Sequence, residues 1–201
     1  MSEQRTPEWF AERAGKITAS RVSDVMTEGR GGKPSKTRQA YMLQLVAESI
    51  TGMPKARFRA AATDWGTEAE QLNLGAYEAF TGALVTPAGF ITHPEYPFIG
   101  ASPDFLVDDV GGGEMKCPYD QDVHLGTLMN GMPDDHRAQV QCGLWVTGRD
   151  WWDFTSFHPD FPPKLQLYVQ RVQRDEDFIE AMKIACLQFW AETEALIRHF
   201  K

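Results

Sequence analysis

The run Gly111-Gly112-Gly113 sits between two short β-type stretches, and it constrains this chain more than any other feature. Glycine accepts the positive φ of tight hairpins. The pattern therefore predicts a hairpin, with strands over residues 101–109 and 113–118 and the glycines as the turn. Residues two apart on a strand share a face. Glu114 and Lys116 then point one way, Met115 and Cys117 the other, and Asp104 enters from the partner strand.

Two carboxylates and an ammonium meeting at one point are a usual kit for phosphodiester hydrolysis with Mg²⁺. The ion binds a few carboxylate oxygens together with waters and substrate phosphates. Two carboxylates about 4 Å apart repel by roughly 4 kcal/mol at an effective dielectric of 20, and a cation relieves that. A lysine can orient or deprotonate the attacking water and offset charge in the transition state. The bland alternative is a surface hairpin whose Asp and Glu-x-Lys face solvent.

The rest of the chain bounds the choice. Its 201 residues suit a single domain over 1–201 with a real core. Met1-Ser2-Glu3-Gln4-Arg5 lacks the apolar stretch of a signal peptide. No apolar run approaches the roughly 20 residues of a membrane helix, so no membrane partner is expected. Cys117, Cys142 and Cys186 are odd in number and far apart. That fits a reducing cytoplasm and neither a zinc site nor a disulfide framework. A net charge of −8 argues against a protein that coats nucleic acid, but not against a nuclease with a basic channel.

Taken in order, Thr6-Pro7-Glu8 opens a helix that Gly15 ends. A second short helix covers residues 19–26. The basic loop 28–36 reads equally as a contact to a DNA backbone and as a solvated turn. Ser35 caps a helix over Lys36–Thr51 with an apolar face of Tyr41, Leu43, Leu45, Val46 and Ile50. Lys55, Arg57 and Arg59 form a second basic patch. Thr63 or Asp64 caps a helix to about Phe80. Its Glu68 and Glu70 lie about 200° apart, so only one faces a given site. Short β runs follow over 84–87, 89–93 and 98–101. After the hairpin come a helical or irregular stretch over 120–130 and a helix from Asp134 to near Gly148. Strands over Trp151–Phe157 and 165–172 precede a final helix over 175–200, with Phe178, Met182, Cys186, Phe189, Leu196 and Phe200 as its buried stripe. The class is α/β (α+β): a central mixed sheet flanked by helices.

With these pieces placed, the chain resembles the lambda exonuclease family, the YqaJ-type viral recombinases or phage alkaline exonucleases of the PD-(D/E)xK nuclease superfamily. Ordered blocks carry the resemblance. They are Trp9-Phe10-Ala11-Glu12-Arg13-Ala14-Gly15-Lys16-Ile17-Thr18-Ala19-Ser20, Trp65-Gly66 with Glu70, and Ser102-Pro103-Asp104 with Glu114-Met115-Lys116-Cys117-Pro118. Ala138-Gln139-Val140-Gln141 with Leu144-Trp145-Val146-Thr147, and Arg174-Asp175-Glu176, complete the series.

The resemblance implies a restriction-endonuclease-like core and a division of labour. Asp104 and Glu114 would bind Mg²⁺ with the Met115 carbonyl, Mn²⁺ substituting, and Glu70 would serve a second metal or its waters. Lys116 would position the nucleophilic water, with Gln139 beside it as a hydrogen-bonding residue. Gln141, about 200° away on the same helix, would not reach the site. Arg13, Ser20 and Ser102 would hold the 5′ phosphate of the end being digested, since an arginine fork bonds phosphate oxygens in pairs. The implied activity is 5′→3′ digestion of double-stranded DNA ends, leaving 3′ single strands for phage-type recombination. The implied partners are two further copies in a ring-shaped homotrimer and a single-strand annealing protein. A PD-(D/E)xK endonuclease of restriction or repair type, and a catalytically silent DNA-end binder, are the rival readings. His93, His124, His136, His158 and His199 show no ligand spacing and read as structural or surface residues. Cys117 reads as core packing, and Trp145, Trp151 and Trp152 as core or interface.

Overall fold

The computed structural model describes residues 4–29, 35–55 and 61–201, without side-chain detail at 61–64 and 66–68. The basic residues Arg30, Lys33, Arg57 and Arg59, and the side chains of Thr63, Asp64 and Glu68, lie outside the described residues. In chain order the elements are α1 (Pro7–Arg13), β1 (Ile17–Thr18), α2 (Val22–Met26), α3 (Lys36–Thr51), α4 (Ala61–Thr81), β2 (Val85–Thr86), β3 (Ile91–Thr92) and β4 (Ile99–Ala101). They continue as β5 (Phe105–Val107), β6 (Gly111–Lys116), α5 (Gln121–Asn130), α6 (Arg137–Thr147), β7 (Trp151–Phe157), β8 (Leu167–Gln173) and α7 (Glu176–Phe200).

Helix ends follow local chemistry. The Thr6 hydroxyl accepts from the Trp9 N–H at 3.2 Å and Pro7 occupies the first turn. Ser35 and Asp175 cap α3 and α7 in the same way, accepting from Arg38 and Phe178. Gly52 and Gly148 end α3 and α6 in the left-handed conformation.

Among the described residues the strands form two sheets. The smaller has the order β1-β4-β3, with β1 parallel to β4. The larger has the order β2-β5-β6-β7-β8 and is mixed: β6 and β7 are parallel, joined through α5 and α6, and the other pairs are antiparallel. Its two faces are told apart by Trp151 and Trp152, adjacent residues that must point oppositely. Trp151 packs with Phe105, Met115 and Tyr77 of α4. Trp152 packs with Val140 and Leu144 of α6. The sheet is therefore sandwiched between α4 and α6. The main core lies beyond α6, where Ile17, Tyr41, Leu45, Ile99, Cys142, Met182, Cys186 and Phe189 come together.

The glycine run is not the hairpin turn. It is the first half of β6, and the turn falls on residues 108–110, with Asp108 at φ 45°. The reason lies with the neighbours. A Cβ on Gly111 would strike the Trp151 ring, one on Gly112 the Trp152 ring, and one on Gly113 the Phe105 ring. The glycines are absences that admit three aromatic rings. Other expectations change in detail. Leu43 and Ile50 are exposed, and the buried face of α3 is Tyr41, Met42, Leu45, Val46 and Glu48. Phe200 is exposed too, while Ile179, Thr193 and Ile197 join the buried stripe of α7. Leu165 belongs to a 3₁₀ turn before β8.

Candidate active site

The strand parity of β6 holds. Glu114 registers with Phe154, which alternates with Trp151 and so lies on the α6 face of the sheet. There the Lys116 ammonium donates to Glu114 Oε1 at 2.6 Å, and the Gln139 amide Nε2, from the first turn of α6, donates to the same oxygen at 2.6 Å. Lys116 Nζ also lies 3.5 Å from Gln139 Oε1. Glu114 is 6% exposed. A buried carboxylate persists where charge and hydrogen bonds compensate it, and this one has both.

Asp104 stands just before β5. Its N–H donates to the Gly113 carbonyl at 3.1 Å, and its Oδ2 accepts from the Met115 N–H at 2.6 Å. The backbone of β6 thus holds both carboxylates. Burial pushes the Asp104 carboxyl well above the ordinary carboxylate range, and the charges of Glu114 and Glu70 push it further. The Met115 N–H and Lys116 pull the other way. Burial by itself would depress the Lys116 ammonium, but Glu114, Asp104 and Glu70 outweigh it and carry its pKa above the usual lysine value. In the metal-free protein the lysine is therefore held as a cation.

Glu70 comes from α4, on the other face of the sheet. Its charge still reaches Asp104, Lys116 and Cys117. Both of its oxygens accept from Arg5 Nη2, at 2.6 and 2.8 Å. Nothing in the sequence pattern marked Arg5. The Met115 side chain packs with Tyr77 and Phe105. Cys117 lies on the same face, 3.6 Å from the Asn73 amide, its thiol pushed by burial up to about 12. Gln141 is turned away from the site: its amide ties the Gln173 carbonyl and the Asp175 N–H together.

Arg13 and Ser102 meet directly, Nη1 to Oγ at 2.8 Å, and the Trp9 indole N–H donates to the same hydroxyl at 3.0 Å. The Arg13 guanidinium lies 4.1 Å from the Trp9 ring centroid. Beside it is a cavity of about 40 Å³ lined by Arg13, Lys16, Thr18, Arg21, Lys55 and Glu48, among others. Glu48 is committed to its own neighbours, accepting from the Gly15 and Lys55 N–H groups and the Gln44 amide. Ser20 is exposed and does not line the cavity; its hydroxyl is 3.4 Å from that of Thr18, which does.

His136 is a neighbour that spacing alone did not flag. It precedes α6, stacks on Phe154 at 5.2 Å, and is lowered to about 4 by burial and by the charge of Lys116. The three buried histidines are structural: His124 joins Ser156 to the Leu165 carbonyl, His93 Nδ1 accepts from the Glu95 and Tyr96 N–H groups, and His158 Nδ1 accepts from the Asp160 N–H.

Among the described residues, no three His, Cys, Asp or Glu side chains stand ready as a closed metal cage. What is present is an open pair of hard oxygen donors. Asp104 Oδ1 and Glu114 Oε2 have no hydrogen-bond partner among the described residues, while Asp104 Oδ2 and Glu114 Oε1 are committed. An open carboxylate pair with mutual repulsion suits an ion that keeps waters and takes the rest of its shell from substrate.

Comparison with known proteins agrees with this architecture. The YqaJ-like viral recombinase domain matches residues 8–150. The crystal structure of an alkaline exonuclease, LHK-Exo, from Laribacter hongkongensis superposes with a TM-score of 0.89 at 39% identity, covering 97% of this chain and 96% of that one. The same enzyme in complex with dAMP gives 0.89 at 40% identity, covering 98% and 96%. A phage-related exonuclease from Haemophilus somnus 129PT shares the fold, with a TM-score of 0.74 at 15% identity over 92% of this chain and 96% of that one. An uncharacterised protein, R354, of Acanthamoeba polyphaga mimivirus is 25% identical over 191 residues, 89% of this chain; the chain spans 31% of that relative's length. The domain match over most of the sequence, and the identity to LHK-Exo across nearly all of it, mean that this chain belongs to the YqaJ-like viral recombinase domain family.

Proposed function

We propose that the protein is a DNA exonuclease that digests double-stranded ends 5′→3′ with Mg²⁺, releasing 5′ mononucleotides. The observation that carries this reading is the paired use of β6. Asp104 and Glu114 each spend one carboxylate oxygen on the protein and keep one without a partner among the described residues, and Glu114 is bonded to the Lys116 ammonium. Mg²⁺, with Mn²⁺ as a substitute, would be held by Asp104, Glu114 and the Met115 carbonyl, with Glu70 serving a second ion or its waters. Bound there, the metal acidifies water and screens phosphate oxygens. Lys116, bonded to Glu114, would orient the attacking water and offset negative charge on the reacting phosphate. Gln139 holds both partners of the Glu114–Lys116 pair in register.

The Arg13 cavity supports recognition of a terminal 5′ phosphate. Four cationic side chains, Arg13, Lys16, Arg21 and Lys55, line it. Arg13 is held by the Trp9 ring and the Ser102 hydroxyl at the edge of this cavity, and an arginine fork matches phosphate oxygens. Ser20 would act from its rim. The names of the LHK-Exo and H. somnus relatives, alkaline exonuclease and phage-related exonuclease, favour the same activity here. The finer reading extends to a ring-shaped homotrimer, a single-strand annealing partner and work in the cytoplasm. No helix among the described residues is long and apolar enough to cross a membrane.

The test is a linear duplex labelled at one 5′ end, with and without Mg²⁺, beside closed circular DNA. Mg²⁺-dependent early release of a labelled mononucleotide with intact circles is expected. Cut circles would replace the proposal with an endonuclease; intact DNA of both forms with end binding retained would leave only an end binder.

A further inference from the structure

The segment before α1 reaches into the site. Gln4 Nε2 donates to the Pro103 carbonyl at 2.7 Å and to the Ala88 carbonyl at 3.0 Å, which pins the chain to the turn that carries Asp104. The next residue, Arg5, has φ 70°, a left-handed conformation that an arginine adopts only infrequently. Thr6 then caps α1. Anchored on both sides, the left-handed residue sends its side chain to Glu70, where Nη2 bonds both carboxylate oxygens at 2.6 and 2.8 Å.

A surface ion pair of this kind ordinarily contributes little. This one differs in what it occupies. Among the described residues Asp104 and Glu114 each retain an uncommitted oxygen, whereas both oxygens of Glu70 are held by Arg5. Glu70 cannot turn an oxygen toward a cation, or toward that cation's waters, without giving up one of those two bonds. A guanidinium in that place also offsets the third negative charge of the cluster, one that Asp104 and Lys116 both feel.

We propose that Arg5 is a positioning residue for the reaction: its guanidinium holds Glu70 until a divalent cation displaces it, so that the segment before α1 sets the cation concentration at which the site loads. The inference rests on the proposed metal-dependent reading of Asp104, Glu114 and Glu70.

The experiment is direct titration of Mn²⁺ into the DNA-free protein, followed by the electron paramagnetic resonance signal of the free ion. No turnover is needed. Arg5→Ala and Arg5→Gln should tighten the apparent Kd about three- to tenfold, because a competing positive charge leaves a partly exposed site. Arg5→Lys, which keeps the charge, should return most of the way to the unsubstituted value. In a Glu70→Gln background Arg5→Ala should have no further effect. Thermal unfolding of each variant checks that the fold is intact. An unchanged or weakened Kd in both Arg5→Ala and Arg5→Gln would overturn the proposal. So would a shift of equal size in the Glu70→Gln background. If the unsubstituted protein bound no Mn²⁺ at all, the metal reading itself would fall, and this inference with it. Binding that is present but indifferent to Arg5 would remove only the role of Arg5.

Discussion

Replacing Lys116 with methionine isolates the charge at the centre of the site while keeping an unbranched chain of similar length. The ammonium lies 2.6 Å from Glu114 Oε1, so the gross attraction is about 6 kcal/mol at an effective dielectric of 20. Most of that is offset by desolvation of the pair. The measurable quantity is the cost of leaving Glu114, 6% exposed, without its cation, about 3–5 kcal/mol for a fully buried pair. Two features reduce it here. The Lys116 side chain is 31% exposed, and Gln139 Nε2 still donates to the same oxygen at 2.6 Å. A loss of about 2 kcal/mol is expected, which lowers Tm by about 4–8 °C in a domain of this size. Urea denaturation in the presence of a chelator measures it, and the nuclease assay run alongside should show no cleavage. The double variant Lys116→Met/Glu114→Gln should recover at least half of the lost stability and none of the activity, because an amide needs no counter-charge. The pH dependence has a definite sign. The folded pKa of Lys116 is raised, so its contribution is fully present below the unfolded lysine pKa and is lost as pH rises through the folded value. The gap between the unsubstituted protein and Lys116→Met should stay constant from neutral pH to about pH 10 and close only above it. A single variant within about 0.5 kcal/mol of the unsubstituted protein, or a double variant no more stable than the single, would refute this account of the pair.

Three further outcomes can be checked with little additional work. Asp104→Asn should abolish cleavage yet stabilise the metal-free protein at neutral pH by about 1 kcal/mol, since ionised Asp104 is opposed by burial, Glu114 and Glu70. With its folded pKa raised, Asp104 subtracts stability as pH climbs from the unfolded carboxyl value through the folded one, so the advantage should vanish in urea melts below about pH 4. Gly113→Ala should cost about 1–3 kcal/mol in the same melts, because its Cβ is driven into the Phe105 ring within a paired strand; a neutral result would mean that the ring gives way. The thiols of Cys117, Cys142 and Cys186 are all raised by burial, so a disulfide reagent at pH 8 should label none of them rapidly in the native protein and all three in denaturant.

What the sequence disclosed tracks the range of the interactions concerned. The ends of α3, set by Ser35 and Gly52, follow from neighbours in the chain, and so does the bond between Glu114 and Lys116, two apart on a strand. Asp104 was legible as a partner of Glu114, though it stands just before β5 and is placed by the backbone of β6. The glycines point locally to a turn, because a glycine run signals one, whereas the rings of Trp151 and Trp152 that explain it lie far along the chain. For β1 the signal was shorter still: two residues whose strand character exists only through pairing with β4. Arg5 could not have been found from spacing, since its contact with Glu70 spans 65 residues. The same holds for buried Asp153, whose charge is satisfied by Arg171 at 2.9 Å and the Tyr77 hydroxyl at 2.7 Å. Each of these is a long-range choice among residue types that are common on any surface.

The three rings seated over β6 also restrict how such a chain can diverge. Gly112 has no freedom to acquire a side chain while Trp152 keeps its indole, and a smaller residue at 152 leaves a void unless the glycine grows to fill it. The same lock joins Gly111 to Trp151 and Gly113 to Phe105. Across related lineages these positions should therefore covary as glycine–aromatic pairs, drifting jointly or not at all. Directed evolution that randomises either partner alone should return the starting residue, while libraries that vary both should find exchanged solutions.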